Sequence, residues 1–400
     1  MGSQSKEYVL ITSSNFPTGG PGASYLNLFC RGVKNNGASI SVYLLKGNAF
    51  GNYRYNGPRH AVTGDGIPYT YLGFKQRPLN VYLKLIDQFV SFVRLLLLLL
   101  SLVIRNRSST ILLYNSDIFF NLPICLIAKT AGIRIVKYAA EIIDKSQYSM
   151  SLLGKISRFA YMINFKYLNK LSDKLIVFSH YLKEEFLKMG IEEGKIIVQP
   201  NLTDFDYWHS DTADIKYTVG YSGAPYMKDG LHDLLKAINI LSVRGLEVTL
   251  VIAGDATFGR TLLPELKEEC IRLGISQKVT FTGLISVSEV KDYLSKCFLL
   301  AITRPDTVQT RAGFPTKLGE YFAMRKPVLT TRFGDMERYF KDGVDMVFAE
   351  CGNPDSIADR IEWMLNHRNE LNTIAGNGYV TARQLLDFRV SMKHIMMALA

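Results

Sequence analysis

The feature that most constrains this chain is a repeated alternation of short apolar runs with helical patterns. In the first half, the runs that predict strands are residues 8–13, 39–45, 110–114, 133–138 and 174–178. In the second half, they are residues 218–221, 248–253, 279–282, 298–302 and 328–331. Strands that alternate with helices run parallel, because each helix returns the chain to the same edge of the sheet. The sequence therefore predicts an α/β protein with parallel sheets.

The length of the chain predicts two domains. Four hundred residues exceed what a single hydrophobic core normally holds. The first run of strands and helices ends at residues 195–198, and a Pro-Asn turn follows at Pro200 and Asn201. The second run begins at Thr218, so the boundary between the two domains lies between these points.

The composition and the cysteines indicate a cytoplasmic globular protein. Apolar residues make up 48% of the chain and charged residues 21%. The five cysteines are scattered, without a CxxC pair or a histidine at metal-ligand spacing, so we expect reduced thiols and no zinc site. The first residues, MGSQSKEYVLIT, lack the charged-then-apolar pattern of a signal peptide. We therefore do not expect export.

The positive charge is concentrated in the first half. Residues 1–200 contain 24 Lys and Arg against 11 Asp and Glu, a balance of +13, whereas residues 201–400 contain 23 against 25. Such a basic half indicates an anionic partner. No pattern of interleaved aromatic and basic residues indicates a nucleic-acid module. A membrane surface or a phosphorylated acceptor is therefore the preferred partner, and nucleic acid is not expected.

Residues 78–104 form a long apolar helical pattern that contains an unbroken leucine run, Leu95 to Leu100. Arg94 interrupts the pattern and leaves about ten apolar residues after it, fewer than the roughly twenty that cross a bilayer. Basic residues at Lys84, Arg94, Arg105 and Arg107 would suit a helix lying in an anionic membrane interface. The alternative is a helix buried between the sheet and solvent.

The segment from Arg304 to Leu329 predicts an anion site. An apolar strand is followed by a polar loop, by the turn Gly313-Phe314-Pro315, and by a helix that starts at Thr316 and Lys317. The N–H groups of a helix start have no intrahelical partner, and the helix dipole is positive there. Glu320 lies one turn further along the same face, where its carboxylate could accept hydrogen bonds from sugar hydroxyls.

A second glycine-rich loop lies near the N-terminus. Gly19 and Gly20 follow the first predicted strand and precede a helix. Glycines allow a ligand to approach the backbone closely, because they lack a Cβ atom. The loop does not match the GxGxxG pattern of dinucleotide-binding proteins, so a plain tight turn is the alternative.

These motifs together resemble family 4 of the retaining glycosyltransferases, over nearly the whole chain. The segment GFPTKLGEYFA, residues 313–323, is similar to the donor-site motif of bacterial members that act on polysaccharides. The resemblance implies the GT-B fold, in which two Rossmann-like domains with parallel sheets face a central cleft. Residues 1–200 would bind the acceptor, residues 201–383 would bind the nucleotide-sugar donor, and a final helix at 384–400 would rejoin the first domain.

The resemblance also implies roles for individual residues. The donor would be bound by Gly19, Gly20, Ser222, Gly313, Phe314, Thr316, Lys317 and Glu320. The residues assigned to catalysis are Lys228, Lys317 and Glu141. The chain departs from the family pattern at three positions, where Ala312 replaces a Glu, Ser222 replaces an Arg, and Glu141 lies near the place of a His.

The function implied by the resemblance is transfer of a hexose-type sugar from a UDP- or GDP-sugar, with retention, to a saccharide or lipid-linked acceptor. We expect no cofactor beyond the nucleotide sugar, and no metal, because no Asp-x-Asp cluster lies near the cations. The expected location is the cytoplasm, at the inner face of the plasma membrane. Two alternatives remain: a nucleotide-sugar epimerase or hydrolase on the same fold, and an inactive nucleotide-sugar-binding protein.

Overall fold

The computed structural model describes residues 6–48, 57–105, 109–114, 117–139, 142, 151–210, 214–256 and 261–400. The chain divides into two compact units, Met1–Pro200 with Ser391–Ala400, and Asn201–Val390. The C-terminal segment thus returns to the first unit at Ser391 and not at residue 384. Phe388 still belongs to the second unit, where its N–H donates to the Thr203 carbonyl at 3.1 Å.

The first unit contains one sheet. Its strands are β1 (Glu7–Thr12), β2 (Ser39–Leu44), β3 (His60–Val62), β4 (Pro68–Tyr71), β5 (Thr110–Tyr114), β6 (Arg134–Ala139), β7 (Lys174–Val177) and β8 (Ile196–Val198). Their order is β3-β4-β2-β1-β5-β6-β7-β8. All neighbours are parallel except β3 and β4, which pair antiparallel. These two strands lie within the stretch 47–73, whose content of Gly, Tyr, Asn and Pro is typical of an irregular segment.

The helices of the first half connect these strands. They are α1 (Gly20–Asn35), α2 (Val81–Arg105), α3 (Ile118–Ala131), α4 (Leu152–Lys166) and α5 (His180–Lys188). The prediction of one long helix over residues 78–104 is confirmed by α2. Arg94 lies within this helix, and its guanidinium donates to the Leu72 carbonyl at 2.8 Å. The Val81–Ile104 segment is consequently long and apolar enough to cross a membrane by length and composition, with a mean hydropathy of 2.0.

The second unit also contains one sheet, and all of its strand pairs are parallel. Its strands are β9 (Tyr217–Ser222), β10 (Leu250–Ala253), β11 (Val279–Phe281), β12 (Cys297–Ile302), β13 (Val328–Thr331) and β14 (Val347–Ala349). The order is β11-β10-β9-β12-β13-β14. The predicted α/β architecture with two parallel sheets is confirmed.

Helices cover both faces of this second sheet. They are α6 (Phe205–Trp208), α7 (Leu231–Val243), α8 (Leu263–Arg272), α9 (Val287–Ser295), α10 (Val308–Ala312), α11 (Thr316–Ala323), α12 (Met336–Tyr339), α13 (Pro354–Asn366) and α14 (Arg368–Leu386). The last helix, α15 (Phe388–Leu399), begins in the second unit and lies mostly in the first, which contains Ser391–Ala400. Successive residues of the strands alternate between two apolar cores, so that Leu299 and Leu300 lie in different ones. Such alternation is what a sheet with two covered faces requires.

The strand order places a ligand-binding position in the second unit. The chain moves from β9 to β10 on one side, and β12 returns to pair with β9 on the other side. Loops at the carboxyl ends of β9 and β12 therefore diverge, and open parallel sheets bind ligands at such a switch point. The loop after β9 begins at Gly223, and the loop after β12 begins at Thr303.

Candidate functional site

The two loops at the switch point are held together by a backbone contact. Gly230 has a φ of +66°, and a Cβ atom added to it would lie 1.8 Å from the Thr303 carbonyl oxygen. Thr303 Oγ1 in turn donates to the Gly230 carbonyl at 3.0 Å. Only glycine satisfies both the left-handed backbone and this close approach. The contact fixes the neighbouring residues Asp229 and Arg304 relative to each other.

Asp229 binds two cations through one carboxylate oxygen. Arg304 Nη2 and Lys317 Nζ each lie 3.2 Å from Asp229 Oδ1. All three residues are buried. Two positive charges therefore share one negative charge, which leaves an excess of one positive charge in the interior of the unit. Arg304 Nε also has no hydrogen-bond partner within the described part of the chain. Buried donors without acceptors are costly, so this cluster is suited to an anionic ligand.

The pKa values of the cluster reflect burial and the neighbouring charges. Burial lowers the pKa of Lys317 to about 8, against the opposing influence of Asp229. Burial alone would raise the pKa of Asp229, but Lys317, Arg304 and Lys228 outweigh it and hold that pKa below its usual value. The aspartate is thus ionised at neutral pH, and the ammonium of Lys317 is close to its titration range.

Lys317 lies against an aromatic ring and a glycine. Its Nζ is 3.8 Å from the centre of the Tyr221 ring, a cation–π contact. A Cβ atom on Gly223 would lie 3.4 Å from the same Nζ. The lysine is therefore held in one place before any ligand binds.

The start of α11 leaves backbone donors unsatisfied. Pro315 precedes the helix and provides no side-chain cap. The N–H groups of Thr316 and Lys317 have no acceptor among the described residues. Gly313 ends α10 in an extended conformation, and the Phe314 carbonyl accepts from Asn201 Nδ2 at 2.7 Å. The hydrogen bond from Asn201 thus fixes the turn, and the N-terminus of the helix is available to an anion.

Glu320 provides an acceptor on the same helix. It is half-buried, and burial raises its pKa to about 7, against the opposing effect of Lys317. Within the described residues, no donor forms a hydrogen bond to its carboxylate. A ligand with hydroxyl groups would satisfy it.

The other predicted site residues have different positions. Phe314 is buried and packs on Tyr339, with 6.1 Å between the ring centres, so its side chain supports the turn and does not face a ligand. The Ser222 hydroxyl is also buried and donates to the Tyr321 hydroxyl at 3.3 Å. Lys228 is half-buried and acts on Asp229 through its charge.

The remaining predictions concern the first half of the chain. Gly19 and Gly20 lie at the start of α1 in the first unit. Glu141 lies outside the described residues. Their assigned roles stay predictions.

Sequence reasoning missed two residues of the cluster. In the sequence, Asp229 is only a loop residue beside Lys228, and Arg304 is only the first residue of the polar segment that follows a strand. A signal was present, because each charged residue follows a strand of the same predicted sheet, where ligands gather.

Ala312, which replaces a family Glu, is buried, and the neighbouring Arg311 pairs with Asp306 at 2.6 Å. Neither residue supplies a carboxylate.

Across the described ranges, no group of three or more His, Cys, Asp or Glu side chains is arranged to hold a metal ion. The charged groups of the site are Arg304, Lys317 and Asp229, with Lys228 and Glu320 beside them.

Comparison with known proteins identifies relatives of the second unit and of the fold. Residues 208–381 match the model of the family "Glycosyl transferases group 1". An uncharacterised glycosyltransferase of Methanocaldococcus jannaschii is 26% identical over 217 residues, which is 54% of this chain and 56% of that protein. The chain therefore matches only about half the length of this curated relative.

Solved structures share the fold over almost the full length. HepE of Anabaena, in complex with UDP and glucose, has a TM-score of 0.71 and 19% identity, and the match covers 99% of both chains. Sucrose-phosphate synthase of Thermosynechococcus elongatus has a TM-score of 0.75 and 12% identity, with 98% of both chains covered. At these identities the likeness shows the fold.

Proposed function

Because residues 208–381 match the model of the group 1 glycosyl transferases, we propose that the protein transfers a sugar from a nucleotide-diphosphate sugar to an acceptor. The observation that carries this proposal is the buried cluster in which Asp229 pairs with both Arg304 and Lys317. Its excess positive charge, beside the unsatisfied start of α11, matches a diphosphate. A diphosphate needs cations and backbone donors, and both are present before it binds.

The ribose of the nucleotide is proposed to bind Glu320. Its carboxylate lies one helical turn from Lys317 and has no hydrogen-bond donor among the described residues. A bidentate pair of ribose hydroxyls would satisfy it. Uracil is the first base to test, because HepE, which shares the fold, was solved with UDP and with UDP-glucose. Guanine is the second base to test.

The transfer is proposed to proceed with retention and without a metal ion. As the bond between the sugar carbon and the diphosphate breaks, the carbon gains oxocarbenium character and negative charge grows on the departing oxygen. Lys317, Lys228 and the α11 dipole would stabilise that charge, an effect worth several kcal/mol in a dry site. The acceptor hydroxyl attacks the same face and gives its proton to the departing diphosphate.

A second candidate is a protein that binds the nucleotide sugar without transferring it. It is favoured by Ala312, a buried alanine at the position where the resembled family has a Glu. An epimerase or hydrolase would need a paired acid and base, and the described cluster around Asp229 contains none: its aspartate is fully engaged by Arg304 and Lys317.

The proposed biological setting is bacterial surface polysaccharide synthesis in the cytoplasm, with a saccharide or lipid-linked acceptor. This proposal is supported by the sequence of residues 313–323, which resembles the donor-site motif of enzymes that act on polysaccharides.

A panel of UDP- and GDP-hexoses tests the proposal, with nucleoside diphosphate binding measured by calorimetry and its slow release measured by a coupled assay. We expect one sugar to bind and to release its nucleoside diphosphate with retained configuration in a trapped product. Binding without release, across a range of saccharide acceptors, would favour the inactive binding protein. Failure of every nucleotide to bind would contradict both candidates.

A further inference from the structure

Helix α2 of the first unit has one face anchored in the protein. Leu95, Leu99 and Leu102 are buried in the core that the sheet forms with α3. On the same side, Ser91 Oγ donates to the Leu45 carbonyl at 2.7 Å, and Asp87 accepts from the Phe74 N–H. These contacts fix the rotation of the helix about its axis.

The opposite face of α2 is a continuous apolar stripe. At 100° per residue, its members fall within about 40° of one line along the helix. They are Tyr82, Ile86, Phe89, Val93, Leu97, Leu100 and Ile104, and all are exposed. The stripe spans residues 82–104, a length of about 33 Å at 1.5 Å per residue. Phe89 is 67% exposed and Ile104 is 74% exposed, so the stripe is open to solvent over its whole length.

The two helices that follow continue this surface. Helix α2 packs against α3, where Phe92 and Phe119 have ring centres 5.0 Å apart, and α3 packs against α4. Exposed apolar residues recur at helical spacing on both, at Phe119, Leu122 and Leu126 and at Ile156, Phe159 and Met162. We call these residues, together with the stripe on α2, the apolar helix face. Single exposed apolar residues are ordinary, but a face on three adjacent helices marks an interaction surface.

The charges around the apolar helix face are mainly positive. Exposed lysines beside the apolar residues of α3 and α4 are Lys129, Lys155 and Lys166, whereas Lys84 lies on the opposite side of α2 from the stripe. The described carboxylates on these helices or paired with their lysines are Asp87, which is buried, Asp117 at the start of α3, and Asp173, which lies 3.8 Å from Lys129. Asp117 pairs with Lys46 at 2.9 Å. The rim of the apolar helix face is therefore basic.

We propose that the apolar helix face docks the protein on an anionic lipid bilayer, with α2, α3 and α4 lying in the interface. The apolar side chains would enter the boundary between headgroups and acyl chains, and the lysines would contact the anionic headgroups. A second copy of the chain fits less well, because two such faces would bring two basic rims together.

Docking in the interface also fits the helix better than crossing does. The segment Val81–Ile104 is long enough to span, but Leu95, Leu99 and Leu102 belong to the core of the unit. To span, α2 would have to leave that core and break the hydrogen bonds of Ser91 and Arg94. Lying in the interface keeps every one of these contacts.

Co-sedimentation of the full chain with vesicles tests the proposal independently of sugar transfer. The probes are phosphatidylcholine vesicles, with and without about one-third phosphatidylglycerol. We expect binding to the anionic vesicles, release at about 0.5 M salt, where the Debye length is well below 10 Å, and about fivefold weaker binding for each lysine removed, starting with Lys155→Ala.

The doubly substituted variant Phe89→Glu/Leu97→Glu should lose vesicle binding, because two carboxylates would enter the interface. Its matched control is Val243→Glu/Ile271→Glu, which changes two residues of the second unit that are 81% and 72% exposed and should bind as the parent does. Unchanged far-UV circular dichroism and urea midpoint would show that the stripe variant is folded.

Three results would overturn the proposal. Equal sedimentation with anionic and neutral vesicles would show that the basic rim has no role. Membrane-bound protein that alkaline carbonate fails to extract would show that α2 crosses the bilayer. A dimer in solution that the stripe variant dissociates, without vesicle binding by the parent, would assign the face to a second copy of the chain.

Discussion

The ammonium of Lys317 lies 3.2 Å from the carboxylate of Asp229, although the two residues are 88 positions apart in the chain. This ion pair joins the loop after β9 to the start of α11. Because Arg304 binds the same carboxylate oxygen, the site carries excess positive charge before any ligand arrives. Such preorganised charge costs stability in the free protein and is useful where negative charge develops in a reaction.

Replacing Lys317 with Met should weaken nucleoside diphosphate binding about tenfold to a hundredfold, the usual effect of losing a charged hydrogen bond. In the parent protein, affinity should fall as the pH rises above about 8, because the pKa of Lys317 is lowered to about 8 by burial and the neutral amine attracts the diphosphate less. Calorimetry across pH measures both effects. The control Lys236→Met removes an exposed lysine of α7 and should retain the parent's affinity and pH profile. If the affinity of Lys317→Met fell above about pH 8 in the same way as that of the parent, titration of Lys317 would not be the cause of the pH dependence.

Replacing Asp229 with Asn should destabilise the second unit by about 3–5 kcal/mol, because Arg304 and Lys317 would lose their buried counter-ion. The pKa of Asp229 is lowered in the folded state, so its stabilisation is present above the unfolded value of 3.8 and is lost as the pH falls through the folded value. Urea unfolding measures the change. Asp292→Asn is the control, since Asp292 pairs with Lys296 at the surface, and its urea midpoint should barely move. Equal midpoints for the two variants would contradict the role given to the buried pair.

Replacing Glu320 with Gln should reduce nucleoside diphosphate affinity by about 1–3 kcal/mol, because a neutral amide accepts ribose hydrogen bonds less strongly than a carboxylate. Deoxyribose nucleotides should lose affinity for the parent protein and should lose much less for the variant. Glu268→Gln, on the exposed side of α8, is the matched control. If ribose and deoxyribose nucleotides bind the parent equally, Glu320 does not hold the ribose.

The same substitution should increase stability above neutral pH. Burial raises the pKa of Glu320 from 4.5 to about 7, so the folded state binds the proton more tightly than the unfolded state does. Stability of the parent therefore falls as the pH rises from about 4.5 to about 7. Glu320→Gln avoids this cost and should be more stable than the parent by about 1–3 kcal/mol at about pH 8, with little difference at about pH 4.5. Urea midpoints at the two pH values check this, and a difference independent of pH would count against it.

Replacing Gly230 with Ala should destabilise the protein far more than Gly245→Ala. Both glycines have positive φ, +66° and +80°, so each alanine incurs about 1–3 kcal/mol of backbone strain. At Gly230 the added Cβ atom would also clash with the Thr303 carbonyl, whereas nothing lies within 4 Å at Gly245. The midpoint of thermal unfolding should fall further in Gly230→Ala than in Gly245→Ala, and nucleotide binding should be impaired in Gly230→Ala only. Equal losses in the two variants would mean that the contact with Thr303 is not needed.

Sugar transfer should continue in excess chelator. Protein cations, namely Lys317 and Arg304, are placed to neutralise the diphosphate, and the described residues contain no cluster arranged to bind a metal ion. Initial rates with and without EDTA measure this. If EDTA abolished activity and added magnesium or manganese restored it, a metal ion would neutralise the diphosphate in place of Lys317 and Arg304.

Much of the site was predictable from local sequence. The turn Gly313-Phe314-Pro315, the helix start at Thr316 and the spacing of Lys317 and Glu320 all depend on neighbours within one or two turns. Backbone sterics and helix hydrogen bonds act over that range. The sequence did not reveal the hairpin of β3 and β4, because a Gly- and Pro-rich composition hides short strands that only pairing stabilises.

Helix α2 also shows that local sequence does not determine tertiary contacts. Its apolar pattern predicted a helix, but the sequence left open which residues are buried, and Arg94 suggested an apolar run too short to cross a bilayer. In the structure, Leu72, a residue of another segment, accepts a hydrogen bond from the Arg94 guanidinium. The sequence also could not separate the buried leucines from the exposed stripe, because both are apolar.

By itself, the sequence determined the alternation of strands and helices, the two-part organisation, the excess of positive charge in the first half and the local geometry of the α11 start. Only the tertiary structure decided that Asp229 joins Arg304 and Lys317, and that one face of α2 is exposed. The pairing of Asp229 with Arg304 spans 75 positions and exists because β9 and β12 are neighbours in the sheet. Strand order results from packing of the whole unit, and no single segment encodes it.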